Sequence, residues 1–136
     1  MKAVLDHIGI AVVDLDKALS FYRDTLGLCV IGTEEVESQQ VRAHFVNAGS
    51  ASLEILESTS ETSPIARFTS RHGPGLHHIT LLVEDLATVL VKLKACGTRL
   101  IDETPRPGAE GALVAFIHPS SAHGVLVELK QKGNGD

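Results

Sequence analysis

Two histidines and two glutamates occur at matching places in the two halves of this chain. The segment that begins at His7 reads like the segment that begins at His78, at a constant offset of 71 residues. Each half later carries a glutamate within an apolar run, Glu54 in the first half and Glu128 in the second. Imidazole and carboxylate groups are both ligands of divalent metal ions. The repeat therefore predicts one metal site built from two histidines and two carboxylates.

The surroundings of these four residues support the same interpretation. All four lie in apolar, strand-like stretches, where an unpaired charge is costly to bury. Four protein ligands leave two adjacent positions on an octahedral ion, which suits water or a chelating substrate. The donor set fits Co²⁺, Ni²⁺, Mn²⁺, Fe²⁺ or Zn²⁺. We predict one divalent ion per chain, from among these five metals.

Two further histidines compete for a place in this site. His77 directly precedes His78, but the alignment with His7, through the isoleucine that follows each, favours His78. Because neighbouring side chains in a strand point to opposite faces, His77 is then expected to point away from the metal. His44 lies within a strand-like run near Glu54, and both a pocket role and a plain position on the sheet stay open for it.

Hydrophobic spacing predicts the same order of elements, βαβββ, in both halves. In the first half Asp14 is a helix N-cap, apolar residues recur at helical spacing from Leu15 to Leu26, and Gly27 ends the helix. In the second half Asp85 caps a helix over 86–96. Strands are predicted at 3–13, 28–33, 40–47, 51–57, 76–84, 98–103, 112–118 and 124–130.

The domain organisation follows from this order. Module one covers 3–57 and module two covers 76–131, with a Ser/Thr/Gly/Pro-rich connector over 58–75 that includes a short helix from Pro64 to Arg71. The 136 residues suffice for a single domain. The predicted class is α+β, with two tandem βαβββ modules whose sheets form an open, eight-stranded, barrel-like sheet with the helices outside.

Composition excludes several classes of function. The net charge is −5 and there is no basic stripe to neutralise phosphates, so we expect no nucleic-acid partner. The longest apolar runs are strand-sized, so we expect no membrane span. Cys29 and Cys96 are predicted to be reduced packing residues rather than a disulfide. A cytoplasmic location is expected.

Several longer stretches carry a resemblance to a known family. They are Leu-Asp-His-Ile-Gly-Ile-Ala-Val at 5–12, Ser-Pro-Ile-Ala-Arg-Phe at 63–68, Gly-Leu-His-His-Ile at 75–79 and His-Pro-Ser-Ser-Ala-His-Gly-Val-Leu-Val-Glu-Leu at 118–129. With these stretches the chain resembles the vicinal oxygen chelate superfamily, whose members pair βαβββ modules around a divalent metal. The last stretch points within it to the methylmalonyl-CoA epimerase family.

The resemblance implies a set of roles. His7, Glu54, His78 and Glu128 carry over as metal ligands, and Glu128 carries over as a catalytic base as well. A coenzyme A thioester substrate and a homodimer are also implied. Epimerisation at C2 of methylmalonyl-CoA proceeds through an enolate and needs two bases, one on each face of that carbon.

The second base is where this sequence departs from the family pattern. Some family members carry a separate glutamate on the strand before the second ligand, together with a glutamine as that ligand. Here the aligned position is around Ala43, and the ligand is Glu54. Our hypothesis is that Glu54 serves as the second catalytic base, with His44 as the reserve candidate.

Two other functions are compatible with parts of this pattern. A glyoxalase I-like lyase, which converts a glutathione hemithioacetal to S-lactoylglutathione, uses the same two-His, two-Glu set and is the alternative. The 118–129 segment favours the epimerase over this lyase. A metal-free binding module of the same fold is disfavoured, because such proteins tend to lose ligands and all four are present here.

Overall fold

The computed structural model describes residues 2–133, which fall into two compact units. One unit is His7–His77, and the other consists of the residues from His78 onward together with the segment up to Asp6. In chain order the elements are β1 (Val4–Ala11), α1 (Leu15–Leu19), β2 (Cys29–Val36), β3 (Val41–Asn47), β4 (Ser52–Ser58), α2 (Pro64–His72), β5 (Gly75–Val83), α3 (Leu86–Ala95), β6 (Arg106–Pro107), β7 (Leu113–Ile117) and β8 (Val127–Gln131). The predicted βαβββ order is confirmed in both halves. Within the described range, every helix is too short or too polar to cross a lipid bilayer.

In the unit His7–His77 the strands lie in the order β2, β3, β4, β1. The β1 and β4 strands run parallel, whereas β3 is antiparallel to both β2 and β4. One face of this sheet is apolar: Val12, Val46 and Ile55 are buried there and pack with Leu15 and Ala18 of α1. The opposite face is therefore the one that carries the alternate residues of each strand.

The unit that begins at His78 repeats this arrangement with the strand order β5, β8, β7, β6. Here β5 runs parallel to β8, and β7 is antiparallel to its neighbours. Its core joins Val83 and Leu129 of the sheet to Leu86 and Leu90 of α3. Both units thus have their helix packed on one face of a four-stranded sheet.

The helix ends confirm the capping residues but change the course of the first helix. The Asp14 carboxylate accepts from the Lys17 N–H at 3.1 Å, and the Asp85 carboxylate accepts from the Thr88 N–H at 3.3 Å. The prediction of one regular α-helix to Leu26 is wrong. The α-helix α1 ends at Leu19, and the chain then forms a wider π-helical segment over Ser20–Thr25. Helical spacing alone does not distinguish these two forms of turn.

The strand predicted at 98–103 is wrong. Only Leu100 forms a bridge to β7 in this stretch, and the N–H groups of Ile101 and Asp102 both donate to the carbonyl of Phe116. The Asp102 carboxylate then accepts from the Phe116 N–H at 2.8 Å, where a strand would offer a backbone carbonyl. Pairing resumes at Arg106–Pro107, where a proline fits because β6 is an edge strand.

The packing role predicted for the two cysteines is also wrong. Cys29 and Cys96 are both free thiols, and both are exposed. Cys29 begins β2, which is an edge strand, and Cys96 is the C-cap of α3. Edge strands and helix ends are more open to solvent than the centres of elements, which explains the difference.

Candidate metal centre

His7 and Glu54 lie side by side in the unit His7–His77. In the parallel pair of β1 and β4, Glu54 is opposite Gly9, and His7 precedes Gly9 by two residues on the same face. The His7 Nδ1 atom lies 2.9 Å from Oε2 of Glu54. The two residues are only 4% and 6% exposed. This face of the sheet therefore holds a buried imidazole and a buried carboxylate in contact.

The other unit builds the same pair from the equivalent strands. In the parallel pair of β5 and β8, Glu128 is opposite Thr80, and His78 precedes Thr80 by two residues. The His78 Nε2 atom lies 3.6 Å from Oε1 of Glu128, and both residues are buried. The sequence repeat is thus a repeat in strand register, with Gly9 and Thr80 at equivalent positions.

The geometry of both pairs fits a divalent cation. Two donor atoms that each lie about 2.1 Å from one ion, at right angles to each other, are about 3 Å apart. The separations of 2.9 Å and 3.6 Å are close to this value. A buried carboxylate also needs a compensating positive charge, which a divalent ion would supply. The donor types, their spacing and their burial therefore all suit a metal ion.

Thr80 makes the two pairs chemically different. Its hydroxyl donates to Oε1 of Glu128 at 2.6 Å, in a buried position. The equivalent residue beside Glu54 is Gly9, which has no side chain to donate. One carboxylate is therefore oriented by a hydroxyl group that the other carboxylate lacks at this position.

Replacing Thr80 with valine is expected to reduce the free energy of unfolding by about 1 to 3 kcal/mol, because the substitution removes a buried hydrogen bond to a carboxylate. Thr80→Ser keeps the hydroxyl and is the matched control. Chemical denaturation of both variants and the wild type measures the difference. Wild-type stability in Thr80→Val would show that the hydrogen bond does not contribute to the free energy of unfolding.

His77 lies on the opposite face of β5 from His78. Its ring is 5.0 Å from the ring of Phe68 in α2, in an edge-to-face arrangement. Burial lowers the pKa of His77 to about 4, so its ring is neutral at pH 7. The alternation of side chains along the strand separates the two neighbouring histidines, as expected from the alignment.

The structure does not bring His44 beside Glu54. In the antiparallel pair of β3 and β4, His44 is opposite Ile55, on the apolar face that packs against α1. Its two ring nitrogens each lie 3.0 Å from a side-chain oxygen, Thr33 Oγ1 and Glu57 Oε1. The reserve candidate for the second base is therefore on the wrong face of the sheet.

Ala43, in contrast, lies on the same face as Glu54. It is opposite Leu56 and fully buried, at 1% exposed. The position at which some family members carry a separate glutamate is thus on the face that carries Glu54, but alanine supplies no base there. Glu54 is the buried acidic residue on that face, and Glu34 of β2, which is opposite Ala43, lies on the same face but is only half-buried.

The loop before β8 uses its polar side chains internally. Nδ1 of His118 accepts from the N–H and the hydroxyl of Ser120, at 3.0 Å and 2.8 Å. The Ser121 hydroxyl accepts from the Arg99 N–H at 2.8 Å. These contacts hold the loop in shape.

Arg106 is a basic residue on the ligand face that no sequence pattern singles out. It lies in β6, opposite Val114 of β7. Because the predicted strands at 98–103 and 112–118 leave Arg106 in the segment between them, the sequence does not predict that Arg106 lies in a sheet. A lone arginine before a proline carries no other signal.

The comparisons with known proteins agree with the fold. Residues 6–116 match the model of the Glyoxalase/Bleomycin resistance protein/Dioxygenase superfamily. The chain belongs to this superfamily, and the α+β class with two βαβββ modules is the fold of its members. This confirms the fold class expected from the sequence.

Relatives in the superfamily are more specific. The chain is 38% identical to the ethylmalonyl-CoA/methylmalonyl-CoA epimerase of Cereibacter sphaeroides, over 93% of this chain and 96% of that protein. It is also 38% identical to the mitochondrial methylmalonyl-CoA epimerase of Mus musculus, over 93% of this chain and 72% of that protein. The resemblance to methylmalonyl-CoA epimerases is thereby confirmed.

A solved structure gives the same result in three dimensions. A variant of the Streptomyces coelicolor methylmalonyl-CoA epimerase, in complex with 2-nitronate-propionyl-CoA, matches with a TM-score of 0.90 and 36% identity. The match covers 98% of this chain and 97% of that one. A probable lactoylglutathione lyase of Synechocystis is 30% identical over 92% of each chain, below the values for the epimerases.

Proposed function

We propose that this protein is an epimerase that interconverts the two C2 epimers of methylmalonyl-CoA. The observation that carries the proposal is the pair of buried His/Glu contacts, one in each unit, on equivalent strands. The similarity to methylmalonyl-CoA epimerases over nearly the whole chain supports the choice of substrate. Both arguments point to proton transfer at a carbon between two carbonyl groups.

His7, Glu54, His78 and Glu128 would together hold one divalent ion. When bound, the ion would supply Lewis-acid stabilisation of the negative charge that develops on the thioester and carboxylate oxygens. The pair His7 and Glu54 supplies two of these four proposed ligands, and the pair His78 and Glu128 supplies the other two. Cobalt as the resident metal, a homodimer and a cytoplasmic location belong to the same proposal.

The two carboxylates would then divide the proton transfers. Glu128 removes the proton from one face of C2, and the electron pair of the broken C–H bond moves into the thioester enolate. Glu54, which carries a proton at the start of this turnover, gives that proton to the opposite face of C2 and ends ionised. The roles of the two glutamates reverse for the other epimer. A positioned base of this kind contributes about 10²- to 10⁴-fold to the rate. Both carboxylates are buried, which limits the contact of the transferred proton with bulk water.

Deuterium incorporation in D₂O tests this function. Protein stripped with a chelator is expected to exchange the C2 proton of one methylmalonyl-CoA epimer at least about 100-fold more slowly than protein reconstituted with Co²⁺, because the charge of the enolate is then unsupported. Mass spectrometry follows the deuterium, and a stereospecific coupled assay follows the configuration.

The outcomes separate the competing functions. Metal-dependent exchange with inversion supports the epimerase. Full activity of the metal-free protein would contradict the metal-assisted mechanism. Lack of exchange, together with turnover of the glutathione hemithioacetal of methylglyoxal, would assign the protein to the lyase alternative.

A further inference from the structure

We propose that Arg106 binds the free carboxylate of the substrate and so selects 2-carboxyacyl thioesters over simple acyl thioesters. The inference deepens the proposed function and rests on it for the class of substrate. Its evidence lies entirely in the unit that begins at His78.

Strand register places Arg106 on the same face as the metal ligands of this unit. Arg106 is opposite Val114 across β6 and β7, and Phe116 follows Val114 by two residues. Phe116 in turn is opposite Glu128 across β7 and β8. Because directly paired residues share a face of the sheet, Arg106 and Glu128 both project from that face.

One aromatic ring separates the guanidinium from a metal ligand. The Cζ atom of Arg106 lies 5.2 Å from the centroid of the Phe116 ring, in a cation–π arrangement. The Phe116 ring also faces His78, whose ring centroid is 6.1 Å away in an edge-to-face arrangement. The Arg106 side chain is 39% exposed, so the ring contact places the guanidinium beside His78 and leaves it open to a ligand.

The hydrogen-bonding capacity of Arg106 is not used up. Its Nε atom is buried and has no hydrogen-bond partner among the described residues. The nearest acid is Asp102, with Oδ2 at 3.3 Å, but that oxygen already accepts from the Phe116 N–H at 2.8 Å. A buried donor without a partner is costly, and an incoming anion would remove this cost.

Lys130 is the competing cation on this face, and its charge is already compensated. It is opposite Val114 across β7 and β8. Its Nζ atom lies 3.5 Å from Oδ2 of Asp6 and 3.3 Å from Oε1 of Glu110. Two carboxylates around one ammonium leave no net positive charge for a ligand. Arg106 is therefore the better anion-binding group.

The position of Arg106 favours the carboxylate over the phosphates of the substrate. In a coenzyme A thioester the phosphates lie at the far end of the pantetheine arm, whereas the carboxylate of a malonyl group is next to the reacting carbon. A group one ring away from His78 is placed for the reacting end. The planar guanidinium also matches a carboxylate with two parallel hydrogen bonds.

Calorimetry with three probes tests the proposal on metal-loaded protein. The probes are malonyl-CoA, acetyl-CoA, which lacks the carboxylate, and malonyl-pantetheine, which lacks the phosphates. Arg106→Gln is expected to weaken the binding of both malonyl probes by about 10- to 100-fold, the value of a charged hydrogen-bonded pair. The dissociation constant of acetyl-CoA is expected to change less than about twofold.

Two further variants make the result specific. Arg99→Gln removes the same charge from an exposed arginine of the same unit and is expected to leave all three dissociation constants unchanged. Arg106→Lys keeps the charge but loses the paired donors, so it is expected to lose part of the malonyl preference. The lysine variant also serves if the glutamine variant does not fold. The metal content of each variant is measured in parallel.

Each outcome decides the matter. Loss of the malonyl preference in Arg106→Gln supports carboxylate binding, even if the deuterium assay shows no inversion and so overturns the epimerase. Equal weakening of both coenzyme A probes, with malonyl-pantetheine unaffected, would assign Arg106 to the phosphates and overturn the proposal. Unchanged binding of all probes, or a wild type without a malonyl preference, would also overturn it.

Discussion

Replacing Glu128 with glutamine is expected to reduce the rate of epimerisation by about 10²- to 10⁴-fold, the range for loss of a positioned general base. Glutamine keeps an oxygen that can ligate a metal and can still accept from the Thr80 hydroxyl, which lies 2.6 Å from the native carboxylate. The substitution therefore removes the base while it preserves most of the local structure. Deuterium incorporation and configuration at C2, measured from each epimer separately, give the result.

The Glu128→Gln variant has a distinctive expected pattern. Inversion fails in both directions because it needs two bases, but the remaining base still exchanges the proton of one epimer. Glu103→Gln is the matched control, since Glu103 is exposed and pairs with Lys94. The metal content of the Glu128→Gln variant is measured as well, to exclude loss of the bound metal as the cause of the slower inversion. A variant that binds metal and inverts at the wild-type rate would show that Glu128 is not a base.

Replacing Glu54 with glutamine is expected to have an effect of similar size on inversion, about 10²- to 10⁴-fold. Here the exchange that survives should be that of the other epimer, because Glu128 is then the remaining base. The buried contact with His7, at 2.9 Å, can persist with a glutamine oxygen. The two single variants together thus assign one base to each face of C2.

Glu57→Gln is the control for Glu54, on the same strand but on the opposite face. Glu57 contacts His44 and Arg42 and lies away from the ligand pair, so its loss is expected to leave exchange unchanged. If Glu54→Gln and Glu128→Gln keep exchange of the same epimer, one of the two assignments is wrong. Full epimerisation by a metal-loaded Glu54→Gln protein would exclude Glu54 as the second base.

The sequence was sufficient to predict the elements that repeat and the ligand types that repeat with them. Side chains alternate along a strand, so an internal match between His7 and His78 also implies a match in the face to which they point. Helix starts were predictable for the same local reason: Asp14 and Asp85 accept from N–H groups three residues ahead. Such features depend on residues close together in the chain.

Features that depend on the pairing of distant strands were not predictable. The edge strand at Arg106–Pro107 was missed because Asp102 caps the Phe116 N–H and ends the pairing that the apolar run at 98–103 suggests. The face of His44 was left open because it depends on the register of β3 against β4, which places it opposite Ile55. A shift of one residue in that register would reverse the face.

The sequence by itself therefore determined the βαβββ repeat and the four proposed ligands, since both are written in local patterns that occur twice. It also determined the resemblance to the epimerases, which is written in short contiguous stretches. Only the tertiary structure decided which groups surround the ligands: Thr80 against Glu128, Gly9 against Glu54, and Arg106 stacked on Phe116. These contacts join residues far apart in the chain. Their geometry is set by strand register and edge pairing, which local residue patterns do not encode.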